Sequence, residues 1–313
     1  GPSGFESGVR EVAAGMLKHY MEEVRTDTMG NLIGVRRCGK AGAKKLLLDA
    51  HLDEIGMIVT HIEKGFLRFS TIGGVDPRML PAREVTVLSE PPVFGIVSVL
   101  PPHILSGEEM DKSQSVQEMV IDVGMSQETA EKTIKLGTPI VFRGGAERFG
   151  EDCICGKALD DRACFATVLR ALELIEGRRL DVDLYVMGSV QEELGYRGAK
   201  TGVFAVEPDL CVAIDVTHGR TPDAPKERTK QMGGGAVIAV GPNMSRNLSD
   251  KLIAISEEIK AEYQLEAAGG ETGTNGWALR VSREGIPTAE LYLPLKYMHS
   301  PVETVRLSDC EAV

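Results

Sequence analysis

No stretch of this 313-residue chain approaches the ~20 consecutive apolar residues of a membrane-spanning helix, and no charged start with an apolar core marks a secretory signal. No basic stripe is present either. With 35 Lys and Arg against 46 Asp and Glu, the formal net charge is −11 and the pI is near 5.2, which argues against nucleic acid or an anionic membrane as the main partner. The six cysteines (Cys38, Cys153, Cys155, Cys164, Cys211, Cys310) lack the spacing of a zinc knuckle or of a secreted disulfide framework. The nearest two, Cys153 and Cys155, flank Ile154 in an apolar segment and read as structural. A reducing cytoplasm fits this usage best. Internal repeats and low-complexity tails are absent as well. The chain opens on Gly1 rather than methionine and stops at Val313, so a start further upstream and a final helix, N-capped by Ser308, are expected.

What is present suits a soluble enzyme. A content of 42% hydrophobic and 26% charged residues is ordinary for a globular protein, and the length allows about two domains. Helical periodicity covers residues 8–24, and residues 32–35 and 46–50 read as strands. From about Ile62 the character changes to short β-rich runs at 66–70, 84–88, 93–100 and 139–143. They are broken by Gly73-Gly74, Pro91-Pro92 and Pro101-Pro102, and a helix at 126–135 interrupts them. Beyond Glu151 helices and strands mostly alternate again: a helix at 163–176, strands at 182–190, 210–215 and 236–240, and a helix at 250–263. The expected fold is α/β, a mostly parallel sheet flanked by helices over residues 1–61 and 150–313, with a small β-rich barrel inserted at 62–149.

The chemistry-bearing motif is Val190-Gln191-Glu192-Glu193-Leu194-Gly195, two adjacent acids after an apolar run. On an extended segment neighbouring side chains face opposite ways, so one acid can bind a metal while the other moves a proton. Two further apolar strands end on His51 and Asp215, and a fourth run, 288–293, leads into His299. Strand carboxyl ends are where open parallel sheets place ligands. Asp160-Asp161 stands at the start of a helix, where an aspartate is commonly only a cap. In this company it completes a set. His51, Asp160, Glu193, Asp215 and His299 supply two imidazoles and three carboxylates, with one carboxylate free to bridge two divalent metal ions, Zn²⁺ foremost, with Co²⁺ or Mn²⁺ as alternatives. Asp53, two residues after His51, faces the same side if the strand continues and can hold the other imidazole nitrogen. His19, His61, His103 and His218 read as satisfied core residues.

These pieces resemble the family forty-two metallopeptidases, the tetrahedral and glutamyl or deblocking aminopeptidases. The matching motifs are Asp49-Ala50-His51-Leu52-Asp53-Glu54-Ile55-Gly56, Lys157-Ala158-Leu159-Asp160-Asp161-Arg162, the Glu192-Glu193 segment, Ala213-Ile214-Asp215-Val216 and Met298-His299-Ser300-Pro301-Val302-Glu303, in the family's order over nearly the whole chain. The resemblance implies that Asp160 bridges two metals, with Glu193 and His299 completing one site and His51 and Asp215 the other, and that the Asp160-Asp161 bond is cis. It also implies cleavage of amino-terminal residues from short peptides, with a metal-activated water and with Glu192 as general base. Cys164 stands where glycine is common, Asn275-Gly276 replaces an expected Asp-Ala, and Lys296 replaces a frequent arginine. These touch the substrate pocket rather than the ligands.

Two other classes stay open: a glycoside hydrolase, because paired carboxylates also cleave sugars, and a non-catalytic metal-stabilised assembly. Gly73-Gly74-Val75-Asp76-Pro77-Arg78 resembles the start of the family's dimerisation domain, with a substrate lid as the rival reading. The resemblance implies a homo-oligomer of dimers, a tetrahedral dodecamer, for which the apolar residues from Val87 to Leu105 supply an interface.

Overall fold

The computed structural model describes residues 1–104 and 114–313; Leu105, the last residue of the expected interface stretch, lies outside the described residues. The chain begins with helix α1 (Ser7–Leu17), which buries Ala13 and Leu17. It stops seven residues short of the expected end because the following segment, β1 (Glu23–Thr26), pairs antiparallel with β2 (Leu32–Arg36). Strand β3 (Lys45–His51) follows.

The next six strands close into a barrel in the order β4-β5-β8-β7-β6-β9: β4 (Gly56–Glu63), β5 (Phe66–Ile72), β6 (Glu84–Val87), β7 (Val93–Val97), β8 (Ile121–Asp122) and β9 (Pro139–Phe142). Helix α2 (Gln127–Thr133) lies between the last two in sequence, capped by Ser126, whose hydroxyl accepts from Thr129 N at 3.2 Å. The barrel takes in β4 from Gly56, ahead of the composition change at Ile62. Inward residues such as Met57, Val59, Leu67, Val85, Val97, Ile121 and Ile140 make its core, and β7 shows the alternation plainly. Val93, Gly95 and Val97 point in, while Phe94 and Ile96 point to solvent.

The rest joins β1, β2 and β3 in an eleven-stranded sheet flanked by helices. Its elements are β10 (Glu147–Phe149), β11 (Cys153–Gly156), α3 (Leu159–Leu174), β12 (Asp183–Ser189), α4 (Arg197–Val206), β13 (Leu210–His218), β14 (Ala236–Val240), α5 (Arg246–Ile259), β15 (Tyr263–Ala267), α6 (Asn275–Arg280), β16 (Thr288–Lys296), β17 (Glu303–Arg306) and α7 (Leu307–Ala312). The four central strands β12-β3-β13-β16 run parallel, and β2 and β17 flank them antiparallel. Both faces of this centre are covered, so its strands read as nearly continuous apolar runs. Leu184, Val186, Ile214 and Leu293 pack with Leu17, Phe165 and Val168 on one face, while Leu47, Met187, Cys211 and Ala213 pack with Ala199, Val203 and Leu279 on the other. Helix α5 begins and ends four residues before the expected 250–263, since Tyr263 opens β15 and pairs with Ala236. Ser308 is not a cap: it lies inside α7, behind the N-cap Arg306, and its hydroxyl donates to Asp152 Oδ2 at 2.6 Å. Among the described residues no helix is long and apolar enough to cross a membrane.

Candidate metallopeptidase site

The parallel strands and their following turns carry the acids and imidazoles into one cleft of about 330 Å³, lined by His51, Asp160, Glu192, Glu193, Asp215 and His299 together with Thr217, Arg228, Glu266 and the 272–274 segment. His51 is the last residue of β3 and is buried. Asp215 is buried as well but sits inside β13, three residues before its end, because that strand continues to His218 rather than stopping at the carboxylate. Asp160 and Asp161 open α3 with non-helical backbone angles across a cis peptide bond. His299 follows β16 on a turn in which both Tyr297 and His299 have positive φ.

The acid pair departs from the extended geometry expected of it. Glu192 and Glu193 lie on a turn after β12, entered through Gln191 at φ 54°, with Gly195 N and Tyr196 N both donating to Glu192 O. The turn is held by side chains that sequence spacing does not connect. Asn31 Oδ1 accepts from Val190 N, and Asp53 accepts from Glu192 N at 3.0 Å and from Glu193 N at 3.2 Å. Asp53 also receives Ser3 Oγ at 2.6 Å, and its carboxylate lies 3.4 Å from His51 Nδ1, whose nearer partner is the Asp53 carbonyl at 3.1 Å. With Nδ1 so occupied, Nε2 of His51 faces the cleft.

Asp160 stands at the centre. Its Oδ1 is 3.1 Å from His51 Nε2 and its Oδ2 is 3.4 Å from His299 Nε2, which is also 3.3 Å from Glu193 Oε1. Ligand atoms of His51, Asp160 and Asp215 lie within 4.8 Å of one another, as do those of Asp160, Glu193 and His299. Electrostatics shows what the cluster lacks. Burial drives Glu192 up to about 9, with His51 opposing and Asp215 and Glu193 adding to the rise; burial likewise raises Asp215 and Asp161. Burial works to lower the His299 imidazole, yet hydrogen bonding to Asp160 and Glu193 outweighs it and carries the group up to about 11. Glu192 Oε1 and Asp161 Oδ1 are buried with no hydrogen-bond partner. So many acids around two imidazoles, with orphaned oxygens among them, is a site short of positive charge, and mixed imidazole and carboxylate donors fit divalent cations.

Two contributors were not legible in the sequence. Glu303, only 2% exposed, accepts from Asp160 N at 3.1 Å and from His299 N at 2.9 Å, holding two cleft-lining residues at once. In the sequence it stands only as the last residue of the Met298–Glu303 motif, with no role assigned to it. The barrel supplies the other: the Gly74 carbonyl lies 2.9 Å from His299 Nδ1, and a Cβ on Gly74 would fall 2.7 Å from that nitrogen. Gly73-Gly74, read as a strand breaker, therefore also packs against Glu193 and His299 of the cleft. The four histidines expected in the core, His19, His61, His103 and His218, are all exposed, and His218, at the end of β13, lines the cleft itself. Cys164 is fully buried, three residues after Asp161 in α3. Lys296 Nζ lies 5.6 Å from the Tyr297 ring centre.

Comparison with known proteins agrees with this geometry. The family model for M42 glutamyl aminopeptidase matches residues 30–313. Lysyl aminopeptidase of Pyrococcus furiosus is 35% identical over 318 residues, covering 99% of this chain and 90% of that protein. Among solved structures, the TET aminopeptidase of a marine sediment Thaumarchaeota archaeon superposes with a TM-score of 0.93 at 30% identity, covering 100% of this chain and 89% of the other. The TET1 peptidase of Pyrococcus horikoshii, which can assemble into a tetrahedron or a large octahedral shell, gives 0.86 at 31% identity, covering 99% and 92%. With a family match over most of the chain and relatives aligned along its whole length, this protein belongs to the M42 glutamyl aminopeptidase family and is a peptide hydrolase.

Proposed function

We propose that the cleft is a dinuclear aminopeptidase centre. The observation that carries this reading is the position of Asp160, whose two carboxylate oxygens each face the Nε2 of a different histidine. His51, Asp160 and Asp215 would hold one ion, and Asp160, Glu193 and His299 the other. Bound divalent ions supply Lewis acidity, polarising the scissile carbonyl and acidifying a water. The protein's own groups do the rest. Glu192 sits beside both ligand sets with Oε1 unpartnered, placed to take the water's proton and deliver it to the leaving amine nitrogen. Asp53 orients His51 through Nδ1 and pins the turn that carries Glu192 and Glu193. Glu303 fixes the backbone at Asp160 and His299.

Membership of a peptidase family sets aside the glycoside hydrolase reading. Short peptides are the proposed substrates, in keeping with the aminopeptidase names of the relatives. Self-association through the barrel is supported by exposed Phe94, Ile96, Val99, Leu100 and Ile104, and by the shells that Pyrococcus horikoshii TET1 forms. Dimers through residues 62–149, joined into a dodecamer, are the proposed assembly. Six unpaired cysteines suit a reducing cytoplasm.

The test uses aminoacyl chromogenic substrates with Zn²⁺, Co²⁺ or Mn²⁺ on the wild type and on Glu192→Gln. The wild type is expected to release the chromophore only with metal. The Gln variant is expected to keep its metal and lose at least ~10²-fold in turnover, the scale of a general base. Near-normal turnover in a metal-replete Gln variant overturns the assignment.

A further inference from the structure

Glu290 on β16 is a buried carboxylate that the mechanism above does not use. It has no exposure and no cation within ion-pair distance among the described residues. Its partners are three neutral hydroxyls: Oε1 accepts from Thr272 Oγ1 at 3.0 Å and Thr274 Oγ1 at 3.2 Å, and Oε2 accepts from the Tyr292 hydroxyl. A carboxylate placed in the interior without a counter-ion is costly, and burial accordingly raises its pKa. Its stem also takes the space of a neighbouring side chain. A Cβ on Gly276 would lie 1.8 Å from Glu290 Oε1, 2.4 Å from Cδ and 2.5 Å from Cγ, so with Glu290 present residue 276 has room only for glycine.

The segment gripped in this way is a wall of the catalytic cleft, since Thr272, Gly273 and Thr274 line it beside Glu193 and His299. Residues 269–273 make no backbone-to-backbone hydrogen bond, and three of those five residues are glycine. Such a segment has little to fix it besides its side chains. One anchor is an exposed bond from the Tyr196 hydroxyl to Glu271; beyond Thr274, Asn275 donates to Asp49 and Ser189, both at 2.8 Å, on the strands that lead to His51 and Glu192. The anchors between are half-buried Thr272 and buried Thr274 on Glu290.

We propose that Glu290 is a positioning residue of the substrate cleft, clamping the 272–274 wall by its two threonine hydroxyls. Both hydroxyls lie within hydrogen-bond distance of Glu290 Oε1 and 3.2 Å from each other, so their bonding is directed into this cluster rather than toward a substrate. The proposal rests on reading the cleft as the peptidase site, and one of its two measurements is independent of that reading.

The experiment compares full-length, metal-loaded wild type with Glu290→Ala and Glu290→Gln. The Ala variant is expected to raise KM about tenfold with kcat within about threefold, the mark of lost ground-state positioning. The Gln variant keeps an oxygen for both threonines and is expected to hold KM within about twofold of wild type. Hydrogen exchange of the 269–274 amides is expected to quicken about tenfold in the Ala variant while barrel amides are unchanged. Gly276→Ala, which pushes the Glu290 side chain aside, is expected to copy the Ala phenotype, and adding it to Glu290→Ala is expected to bring no further loss. Should Glu290→Ala fail to fold, the Thr272→Val, Thr274→Val double variant is measured in its place with the same expectations. Unchanged exchange at 269–274 overturns the clamp, as does an unchanged KM in the presence of quickened exchange. If the wild type hydrolyses no aminoacyl substrate, the peptidase reading fails and the exchange data alone decide the clamp.

Discussion

Replacing Gly74 by alanine adds one methyl group at the seam between barrel and sheet, and the geometry sets the consequence. The new Cβ would stand 2.7 Å from His299 Nδ1 and 2.8 Å from Cε1, where ordinary contact begins at 3.4 Å, so the ring or the loop has to yield by about 0.7 Å. Gly74 does not occupy the left-handed region and is exposed, so the backbone tolerates alanine and overall stability is expected to stay within about 0.5 kcal/mol. The damage is local. If the ring moves, the 2.9 Å contact from Nδ1 to the Gly74 carbonyl is lost and Nε2 swings from its place 3.3 Å from Glu193 and 3.4 Å from Asp160. Displacement of a reacting group by about 1 Å can lower the rate ~10²-fold, which corresponds to about 2.7 kcal/mol of transition-state stabilisation. The assay is kcat/KM on an aminoacyl chromogenic substrate, with metal content measured by elemental analysis and Tm by scanning calorimetry. An Ala variant with wild-type kcat/KM and full metal content would show that the barrel loop does not position His299. A fall in Tm of many degrees would show instead that the methyl disturbs more than the site.

His51→Ala and His299→Ala are each expected to weaken or empty one metal position and abolish hydrolysis, since each imidazole is the sole nitrogen donor of its ligand set; two full, tightly held equivalents in either purified variant would contradict the ligand sets. Glu54, 3% exposed, pairs with Lys157 at 2.5 Å and Arg162 at 2.9 Å; burial alone would raise its pKa, but these cations bring it below its ordinary 4.5. A depressed carboxyl contributes stability above its unfolded pKa and loses it as pH falls toward the folded value. Glu54→Gln is therefore expected to be less stable by roughly 2 kcal/mol at pH 7, somewhat under the figure for a fully buried pair because both cations stay partly exposed. Denaturant titrations should show that gap shrinking below about pH 4, and an equal gap at both pH values would remove the ion pairs as its cause. Light scattering of the metal-loaded protein at several concentrations is expected to give a closed oligomer of dimers, and a strictly monomeric, fully active enzyme would refute barrel-mediated assembly.

The residues that the fold gathers in the cleft were legible because their chemistry is written locally. A charged or imidazole residue at the end of an apolar run stands out wherever it falls, and His51, the Glu192-Glu193 pair, Asp215 and His299 all show that contrast. The fold class was legible for a related reason: near-continuous apolar runs mark strands covered on both faces, and alternating ones mark a barrel wall, as β12 and β7 do. Elements with weak periodicity were missed. β15, β17 and α6 are short, and each owes its conformation to a neighbour, as β15 does to β14 and β17 to β11 and β16.

Tertiary structure alone decided how those residues act together, because the deciding contacts join positions far apart in the chain. Asp160 meets His51 across 109 residues and Gly74 meets His299 across 225, and no local pattern encodes either pairing. The acid pair was expected on an extended strand, where alternation would send Glu192 and Glu193 to opposite faces. Instead Asp53, 139 and 140 residues away, takes up both of their backbone N–H groups and holds them on a turn. Glycines 74 and 276 carry the same lesson. Nothing in the sequence ties either to a distant partner, yet each is crowded by a side chain, His299 or Glu290, that only folding brings against it.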